Sequence, residues 1–404
     1  MKGITRHLKS DDYKQRKPGL RVIISGGGTG GHLFPGIAIG KELKKRYSDS
    51  TVLFITGRRR IEGEIVSRAG FEAKSIDIEG LMGKDISRMA LSLLRLMKGS
   101  IQSLAIINYF KPQLVVGFGG YTSGPVCLMA WIMGIPTAVH EQNSFPGITN
   151  RLLAHFVQRV FISFAETGRY LKKDKCLLTG NPIRDDILAL GPQKREGKRD
   201  FVVLVMGGSQ GAKAINRATL SAIKELRKEG LIPFIIHQTG REDFKRVADE
   251  YNLLGHKAEV TAFIEDMALA YRRADLVICR AGATTIAELT ALGKASILIP
   301  YPYAINKHQD ANARHLVNTG GAVMVLEEEL EGKSLSKKVR MYMENREELK
   351  KMSFIALNSG RPQACKVIVE QLMELINTTK ISKVINGKAK KKEQLTTGSG
   401  LQRQ

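Results

Sequence analysis

The stretch Val22-Ile23-Ile24-Ser25-Gly26-Gly27-Gly28-Thr29-Gly30-Gly31-His32-Leu33-Phe34-Pro35-Gly36 concentrates chemistry-bearing residues in this 404-residue chain. A short apolar run enters five glycines and a threonine within six residues; a histidine and a helical pattern follow. Glycine lets backbone approach a bulky anion and take positive φ. The helix after such a loop turns its free N–H groups and about half a positive charge toward it. The segment therefore suits phosphates or a developing negative charge. A second loop of the same kind, Gly207-Gly208-Ser209-Gln210-Gly211, follows the apolar run that ends at Met206. Gly26-x-Gly28-x-x-Gly31 has the dinucleotide spacing, yet the next apolar run ends Phe54-Ile55-Thr56-Gly57-Arg58-Arg59-Arg60, without the acidic residue expected for a ribose. Those arginines suit a 2′-phosphate, so this ground alone leaves an NADP site open. Neither loop continues as Gly-Lys-Ser/Thr, which excludes a P-loop.

These loops need strands to hold them. Apolar runs predict strands at Arg21–Ser25, Thr51–Thr56, Leu114–Gly117, Thr137–His140, Arg159–Ile162 and Cys176–Thr179. After a polar linker, Gly191–Arg199, the pattern restarts at Phe201–Met206, Phe234–Gln238, Lys257–Thr261, Leu276–Cys279 and Ser296–Pro300. Apolar runs without period-2 alternation, separated by helices, indicate parallel strands buried on both faces. The expected architecture is α/β, with two Rossmann-like domains at residues 19–190 and 191–362. A helix at 363–379 is expected to return to the first domain. Residues 1–18 form a basic extension and 380–404 a basic tail, both expected to be disordered.

Hydrophobic content of 43% and charged content of 25% are those of a globular protein. Cys127, Cys176, Cys279 and Cys365 are far apart and form no CxxC pair, which fits a reducing compartment. The polar first 18 residues do not read as a signal peptide. The longest apolar run, Pro125 to Val139, is broken by Gly134 and Pro136 and is shorter than the ~20 residues of a spanning helix. Net charge is +24, with ten of those charges on the two tails. Such a balance suggests an anionic partner. Aromatics are only 6% with one tryptophan, and no zinc finger, RRM signature or basic heptad is present, so nucleic acid is not expected. No Asp-x-Asp triplet appears and the histidines do not pair at ligand spacing; neither a metal nor another cofactor is expected.

Two tandem Rossmann halves with glycine loops facing an interdomain cleft describe the GT-B class of nucleotide-sugar enzymes. The segments Gly26–Gly36, Gly117-Phe118-Gly119-Gly120-Tyr121-Thr122-Ser123-Gly124-Pro125 and His140-Glu141-Gln142-Asn143 resemble the MurG family. So do Gly180-Asn181-Pro182-Ile183-Arg184, Gly207-Gly208-Ser209-Gln210-Gly211-Ala212 and Arg280-Ala281-Gly282-Ala283-Thr284-Thr285-Ile286-Ala287-Glu288. The resemblance covers roughly residues 20–375 in the family's order. It implies a bacterial glycosyltransferase that moves N-acetylglucosamine (GlcNAc) from UDP-GlcNAc to the lipid-linked precursor lipid I. The product is lipid II of peptidoglycan synthesis. Another UDP-sugar GT-B enzyme, such as a UDP-GlcNAc 2-epimerase or a glycolipid transferase, is the alternative.

The resemblance also implies site residues. Ala283, Thr284, Thr285, Ile286 and Ala287 open a helix that would cradle the UDP pyrophosphate, and Glu288 would accept hydrogen bonds from the ribose. The backbone of Ile264 would read uracil, and Ser209 and Arg184 would touch phosphate. Gln309 would contact the sugar hydroxyls; His308 stands where some relatives carry another glutamine. Asn143 would meet the donor sugar across the cleft, with Thr29, Gly30 and Gly31 as further donor contacts. The implied reaction is one inverting displacement at the anomeric carbon by the C4 hydroxyl of N-acetylmuramic acid (MurNAc), giving a β-1,4 bond. It calls for a general base, and His32 is the first candidate, with Glu141 or His140 acting instead or assisting.

An acceptor held in a membrane implies a membrane-facing surface. Projected as a helix, Ser87–Leu104 puts Met89, Ala90, Leu93, Leu94, Leu96, Met97, Ile101 and Leu104 on one face, most of which is expected to pack on the sheet. Leu81, Met82, Lys84, Tyr121 and Trp131 are the expected membrane or acceptor contacts, with cations toward an anionic surface at ~1 kcal/mol each. The expected location is peripheral, on the cytoplasmic face of the bacterial inner membrane. Other cell-wall synthesis and division proteins are expected partners.

Overall fold

The structure is a computed structural model that describes residues 19–28, 30–78, 86–192 and 200–379, with the backbone alone at 86–93. Thr29, Leu81, Met82 and Lys84, and both basic tails, lie outside the described residues.

The strands form two parallel sheets. The first joins β1 (Arg21–Ser25), β2 (Thr51–Thr56), β3 (Glu72–Ser75), β4 (Leu114–Gly117), β5 (Thr137–Glu141), β6 (Arg159–Ile162) and β7 (Cys176–Leu178), in the order β3-β2-β1-β4-β5-β6-β7. The second joins β8 (Val202–Met206), β9 (Phe234–Gln238), β10 (Ala258–Thr261), β11 (Leu276–Cys279), β12 (Ala295–Leu298) and β13 (Val323–Met324), in the order β10-β9-β8-β11-β12-β13. Val115, Val139, Leu204 and Val277 have essentially no exposed surface, as burial on both sheet faces requires.

Two strands were not legible in the pattern. Glu72–Ser75 is a polar edge strand, and Val323–Met324 is only two residues long. Elsewhere β1, β2, β4, β6, β9 and β11 have the expected limits, and the ends of β5, β7, β8, β10 and β12 differ by one or two residues, where pairing rather than side-chain character sets the limit.

Each sheet reverses its strand order once, between β1 and β4 and between β8 and β11. Register brings the ends together: Ser25 pairs with Gly117, and Met206 with Cys279. The loops leaving the two central strands of each sheet therefore emerge side by side, the crevice in which such sheets bind ligands. Both glycine loops lie there.

The helix at residues 364–379 buries Cys365, Ile368, Val369 and Leu372 in the core that holds Val22, Ile24 and Phe54. The segment after β7 places Ile183 and Ile187 in a core with Leu204 and Leu289. The chain thus crosses between the halves twice. All four cysteines are free, and burial pushes the Cys127 and Cys365 thiols up to about 12.

Candidate active site

The first glycine loop is already occupied by the protein itself. Gly28 N donates to Glu62 Oε1 at 2.8 Å, and Gly57 N donates to Glu62 Oε2 at 2.9 Å. Glu62 is 3% exposed. Arg59 Nη1 clamps the Gly28 carbonyl at 3.0 Å. The glycines are needed for closeness: Gly120 has φ +72°, and a Cβ there would collide with the Gly27 carbonyl. Tyr121 lies over this loop, its ring 3.4 Å from where a Gly28 side chain would begin. Gly30 and Gly31 start the following helix, Gly30–Arg46.

The second loop opens onto space instead. A cavity of about 610 Å³ is lined by Gly207, Gly208, Gly211, Gly282, Thr285 and Gln309, among others. Gly211 takes φ +78°, and a Cβ there would strike the Thr239 carbonyl. The helix Ala283–Leu292 begins at this cavity with Gly282 as its N-cap and no side-chain cap. Its first-turn N–H groups therefore lack the partner a Ser or Asp would supply. Lys213, Arg217 and Arg280 add cations to the walls, and Arg280 is paired with Glu327. Ser209 is exposed in the loop. Among the expected helix residues, Thr285 faces this cavity, whereas Ala283, Ile286 and Ala287 line a smaller one on the helix flank. Thr284 receives a hydrogen bond from Asn181 Nδ2 across the domains at 3.3 Å.

The nucleoside end holds two surprises. Ile264 N donates to Gln238 Oε1 at 2.8 Å, while Gln238 Nε2 donates to the Gly208 carbonyl at 2.8 Å. The Ile264 N–H is therefore engaged, leaving its carbonyl to meet a base. Arg184 does not line the main cavity. Its Nη2 stands 3.7 Å from Glu288 Oε1, Nη1 is 3.9 Å from Asp186, and the guanidinium lies over Phe34. Two carboxylates draw it into an interdomain contact. Glu288 is 7% exposed and accepts from Tyr271 OH at 3.0 Å. Burial pushes its carboxyl up to about 7, against the opposing pull of Arg184 and Tyr271.

Across the cleft, Asn312 ties the halves together. Its Oδ1 accepts from Ser144 N at 2.8 Å and its Nδ2 donates to Asn143 Oδ1 at 3.1 Å. Asn312 is fully buried, three residues after Gln309 on the helix His308–Val317, whose spacing puts both on one side. Gln309 Oε1 accepts from Tyr301 N at 3.0 Å, leaving its amide N–H groups as donors. Asn143 thus meets the second domain through Asn312.

The three candidate bases separate by geometry. Glu141 is 2% exposed; Oε1 accepts from Asn143 N at 3.0 Å, and Oε2 from Gly147 N at 3.1 Å and Asn150 Nδ2 at 2.8 Å. That arrangement braces the 141–150 turn and leaves neither oxygen for a substrate proton. His140 is completely buried, its Nε2 lies 3.0 Å from the Gly180 carbonyl, and burial lowers its pKa to about 4. His32 alone is partly exposed. Burial of its ring is the main influence and lowers its pKa; the Glu141 charge and hydrogen bonding to Gln142 and the Phe118 carbonyl oppose this, and His308 adds to the lowering. A neutral imidazole at the cleft is the form a base requires.

The family comparisons agree with this geometry. Residues 22–162 match the glycosyltransferase family 28 N-terminal domain and residues 202–368 the family 28 C-terminal domain. A UDP-N-acetylglucosamine--N-acetylmuramyl-(pentapeptide) pyrophosphoryl-undecaprenol N-acetylglucosamine transferase of Syntrophus aciditrophicus is 46% identical, over 88% of this chain and 99% of that one. Its namesake from Myxococcus xanthus is 44% identical over 89% and 94%. The crystal structure of Acinetobacter baumannii MurG matches with TM-score 0.73 at 29% identity, covering 88% of this chain and 99% of that one. The chain belongs to the MurG family. The GT-B fold extends further: a UDP-GlcNAc 2-epimerase from Neisseria meningitidis matches with TM-score 0.62 at 17% identity, over 88% and 100%, a likeness of fold alone.

In this MurG-family chain the apolar surface differs from expectation. The helix Ile86–Phe110 buries Ile107 but exposes Leu94 by 62%, Met97 by 57% and Ile101 by 67%. Its apolar stripe is wider than one sheet face can cover. Helix Gly120–Ile132 packs beside it and helix Ile148–Leu153 beside that. The Trp131 and Phe156 rings meet at 5.1 Å, tilted by 58°, and Ile132, Ile148 and Leu152 are exposed. Lys98 on the same helix is paired with Asp77 at 2.8 Å. No helix among the described residues is long and apolar enough to cross a membrane. Nor does any group of His, Cys, Asp and Glu among them have the makings of a metal site.

Sequence reading assigned no role to Glu62, Gln142, Gln238, Tyr271, Arg280 or Asn312. Only Asn312 carried a usable signal, its helical spacing from Gln309.

Proposed function

We propose that this protein transfers GlcNAc from UDP-GlcNAc to the C4 hydroxyl of MurNAc in undecaprenyl-pyrophosphoryl-MurNAc-pentapeptide, lipid I, forming lipid II through a β-1,4 bond. The observation that carries this reading is the 610 Å³ cavity at the second switch point, where an open glycine loop, an uncapped helix N-terminus and Gln309 share one wall. The relatives named above are transferases of this description.

In this reading UDP lies along the second domain. Its pyrophosphate meets the Gly207–Gly211 loop, Ser209, Thr285 and the first-turn N–H groups of Ala283–Leu292. These fixed dipoles stabilise negative charge on the departing UDP without having to reorganise. Glu288 takes the ribose hydroxyls, the Ile264 carbonyl the uracil, and Gln309 the sugar. His32 removes the proton from the attacking hydroxyl, and inversion follows from a single in-line displacement. Gly30, Gly31 and Tyr121 border the acceptor's approach.

The acceptor is amphiphilic, and the exposed apolar band of Leu94, Met97, Ile101, Trp131 and Leu152 supplies a surface for a bilayer. The protein then works peripherally at the cytoplasmic face of the plasma membrane, beside other cell-wall enzymes. We place the domain division near residue 190 and group residues 364–379 with the first domain.

The test is transfer of GlcNAc from UDP-GlcNAc to a lipid I analogue, with UDP release matching product one for one. A donor-only reaction that yields an epimerised sugar nucleotide, with no transfer, would replace this reading with the epimerase.

A further inference from the structure

Gln142 lies between His32 and the buried framework of the first domain. It is 2% exposed. Its Nε2 donates to the Phe118 carbonyl at 2.9 Å and stands 3.3 Å from both the His140 carbonyl and His140 Nδ1. A carbonyl only accepts, so the amide nitrogen must face Phe118 and the amide oxygen must face outward. That oxygen, Oε1, lies 3.2 Å from His32 Nδ1.

The same logic runs down the chain of groups. His140 Nε2 faces the Gly180 carbonyl at 3.0 Å, so it carries the proton and Nδ1 is left to accept from Gln142. Every member has one available orientation. An acceptor oxygen opposite His32 Nδ1 then requires a proton on Nδ1, which leaves the lone pair on Nε2.

We propose that Gln142 is a positioning residue that fixes His32 as the Nδ1–H tautomer and so presents Nε2 as the base for the acceptor hydroxyl. The inference rests on the reading of His32 as base. In serine proteases a buried aspartate orients the base through the same ring nitrogen. Here a neutral amide does so, which holds the ring without adding charge beside it. The charged and titratable groups that act on His32 are Glu141, at the end of β5 just before Gln142, and His308 from the second domain. His140 reaches it only through the Gln142 amide.

The test uses the full chain with UDP-GlcNAc and a lipid I analogue. Gln142→Met keeps volume and removes the acceptor. It is expected to lower kcat by roughly 10- to 1000-fold, less than the about 10²–10⁴-fold that loss of the base itself would cost, with KM for UDP-GlcNAc held within about twofold. Because the lost hydrogen bond favours the imidazolium, the acidic limb of the kcat–pH profile should move to lower pH. Gln142→Glu restores an acceptor with a charge, so it should recover part of kcat and move that limb to higher pH. Nitrogen NMR of ¹⁵N-histidine protein, with His32→Ala to assign the signal, should show His32 protonated at Nδ1 in the unsubstituted enzyme. A His32 protonated at Nε2, or a Gln142→Met enzyme with unchanged kcat and pH limb, overturns the proposal. If Gln142→Met fails to fold, the NMR result decides alone. Unchanged kcat in His32→Ala removes the base reading separately, whatever the tautomer.

Discussion

The loops at Gly26–Gly31 and Gly207–Gly211 leave equivalent strands, β1 and β8, at the two points where strand order reverses. Both use glycines at positive φ, and both feed helices. In the first, Glu62 reaches back from the helix Arg60–Arg68 and takes the amides of Gly28 and Gly57. In the second, Gln238 takes the Gly208 carbonyl and the loop faces a cavity rimmed by Lys213, Arg217 and Arg280. A carboxylate built into one loop already takes its amides; the other faces open space with Arg217 and with Lys213 and Arg280, which are paired to Glu242 and Glu327. Similar loop sequences thus acquire different duties from residues elsewhere in the chain. In the proposed function the first carries the reaction centre with His32, and the second holds the nucleotide.

If that division is right, substitutions at the first loop strike kcat or folding, and those at the second strike donor binding. The largest effect is expected from His32→Ala. Loss of the base should lower kcat by about 10²–10⁴-fold with little change in KM for UDP-GlcNAc, read by steady-state transfer kinetics. An equal rise in KM would place His32 in donor binding and erase the contrast.

Next is Glu62→Ala, which strands two backbone N–H groups in a buried site. At about 1–3 kcal/mol for each unmet donor, urea unfolding should show a loss of roughly 2–6 kcal/mol. UDP affinity of the folded variant, by calorimetry, should stay within a few-fold. Tightened UDP binding would mean that the first loop also accepts the nucleotide.

A third test uses pH. Glu288 titrates at about 7 in the free protein, above the ordinary 4.5, so the folded state keeps its proton between those values. Its contribution to unliganded stability is fully present below 4.5 and is lost as pH rises through 7. Ribose hydroxyls donate to the ionised form, so UDP affinity should run the opposite way. It should fall by up to about tenfold per pH unit below 7, and Glu288→Gln should flatten that dependence. Parallel slopes would remove Glu288 from the ribose.

The smallest effect is expected from Ser209→Ala. Ser209 is exposed on the open loop, so KM for UDP-GlcNAc should rise only about three- to tenfold, in line with one solvent-exposed hydrogen bond of about 1 kcal/mol. Its unfolding midpoint should not move. A fall in kcat at unchanged KM would assign Ser209 to the transition state alone.

Much of the fold was legible because buried parallel strands must be continuous apolar runs. β1, β2, β4 and β11 match the expected limits residue for residue. The polar edge strand β3 was not legible, since one solvated side relaxes the demand for apolar residues. Loops and helix starts were legible as well, because only glycine satisfies positive φ at Gly28 and Gly211. Partnerships were harder. Nothing near Glu62 marks it as the carboxylate of a loop 34 residues earlier, and nothing near Asn312 marks Ser144 as its partner. Arg184 read as a phosphate ligand; its guanidinium lies 3.7 Å from Glu288 and 3.9 Å from Asp186, and the Glu288 contact, about a hundred residues away, had no local signal.

By itself, then, the sequence determined the two parallel α/β halves, the placement of a glycine loop at each reversal point, and the family. These follow from local requirements: apolar continuity in strands, positive φ in turns and free amides at helix starts. Tertiary structure decided which loop is filled and which is open, which of His32, His140 and Glu141 keeps a free lone pair, and which apolar residues stay exposed. Those outcomes depend on burial and on hydrogen-bond partners, some of them far off in sequence, as Glu62 is from Gly28 by 34 residues and Gln142 from His32 by 110, and only the folded chain brings such groups together.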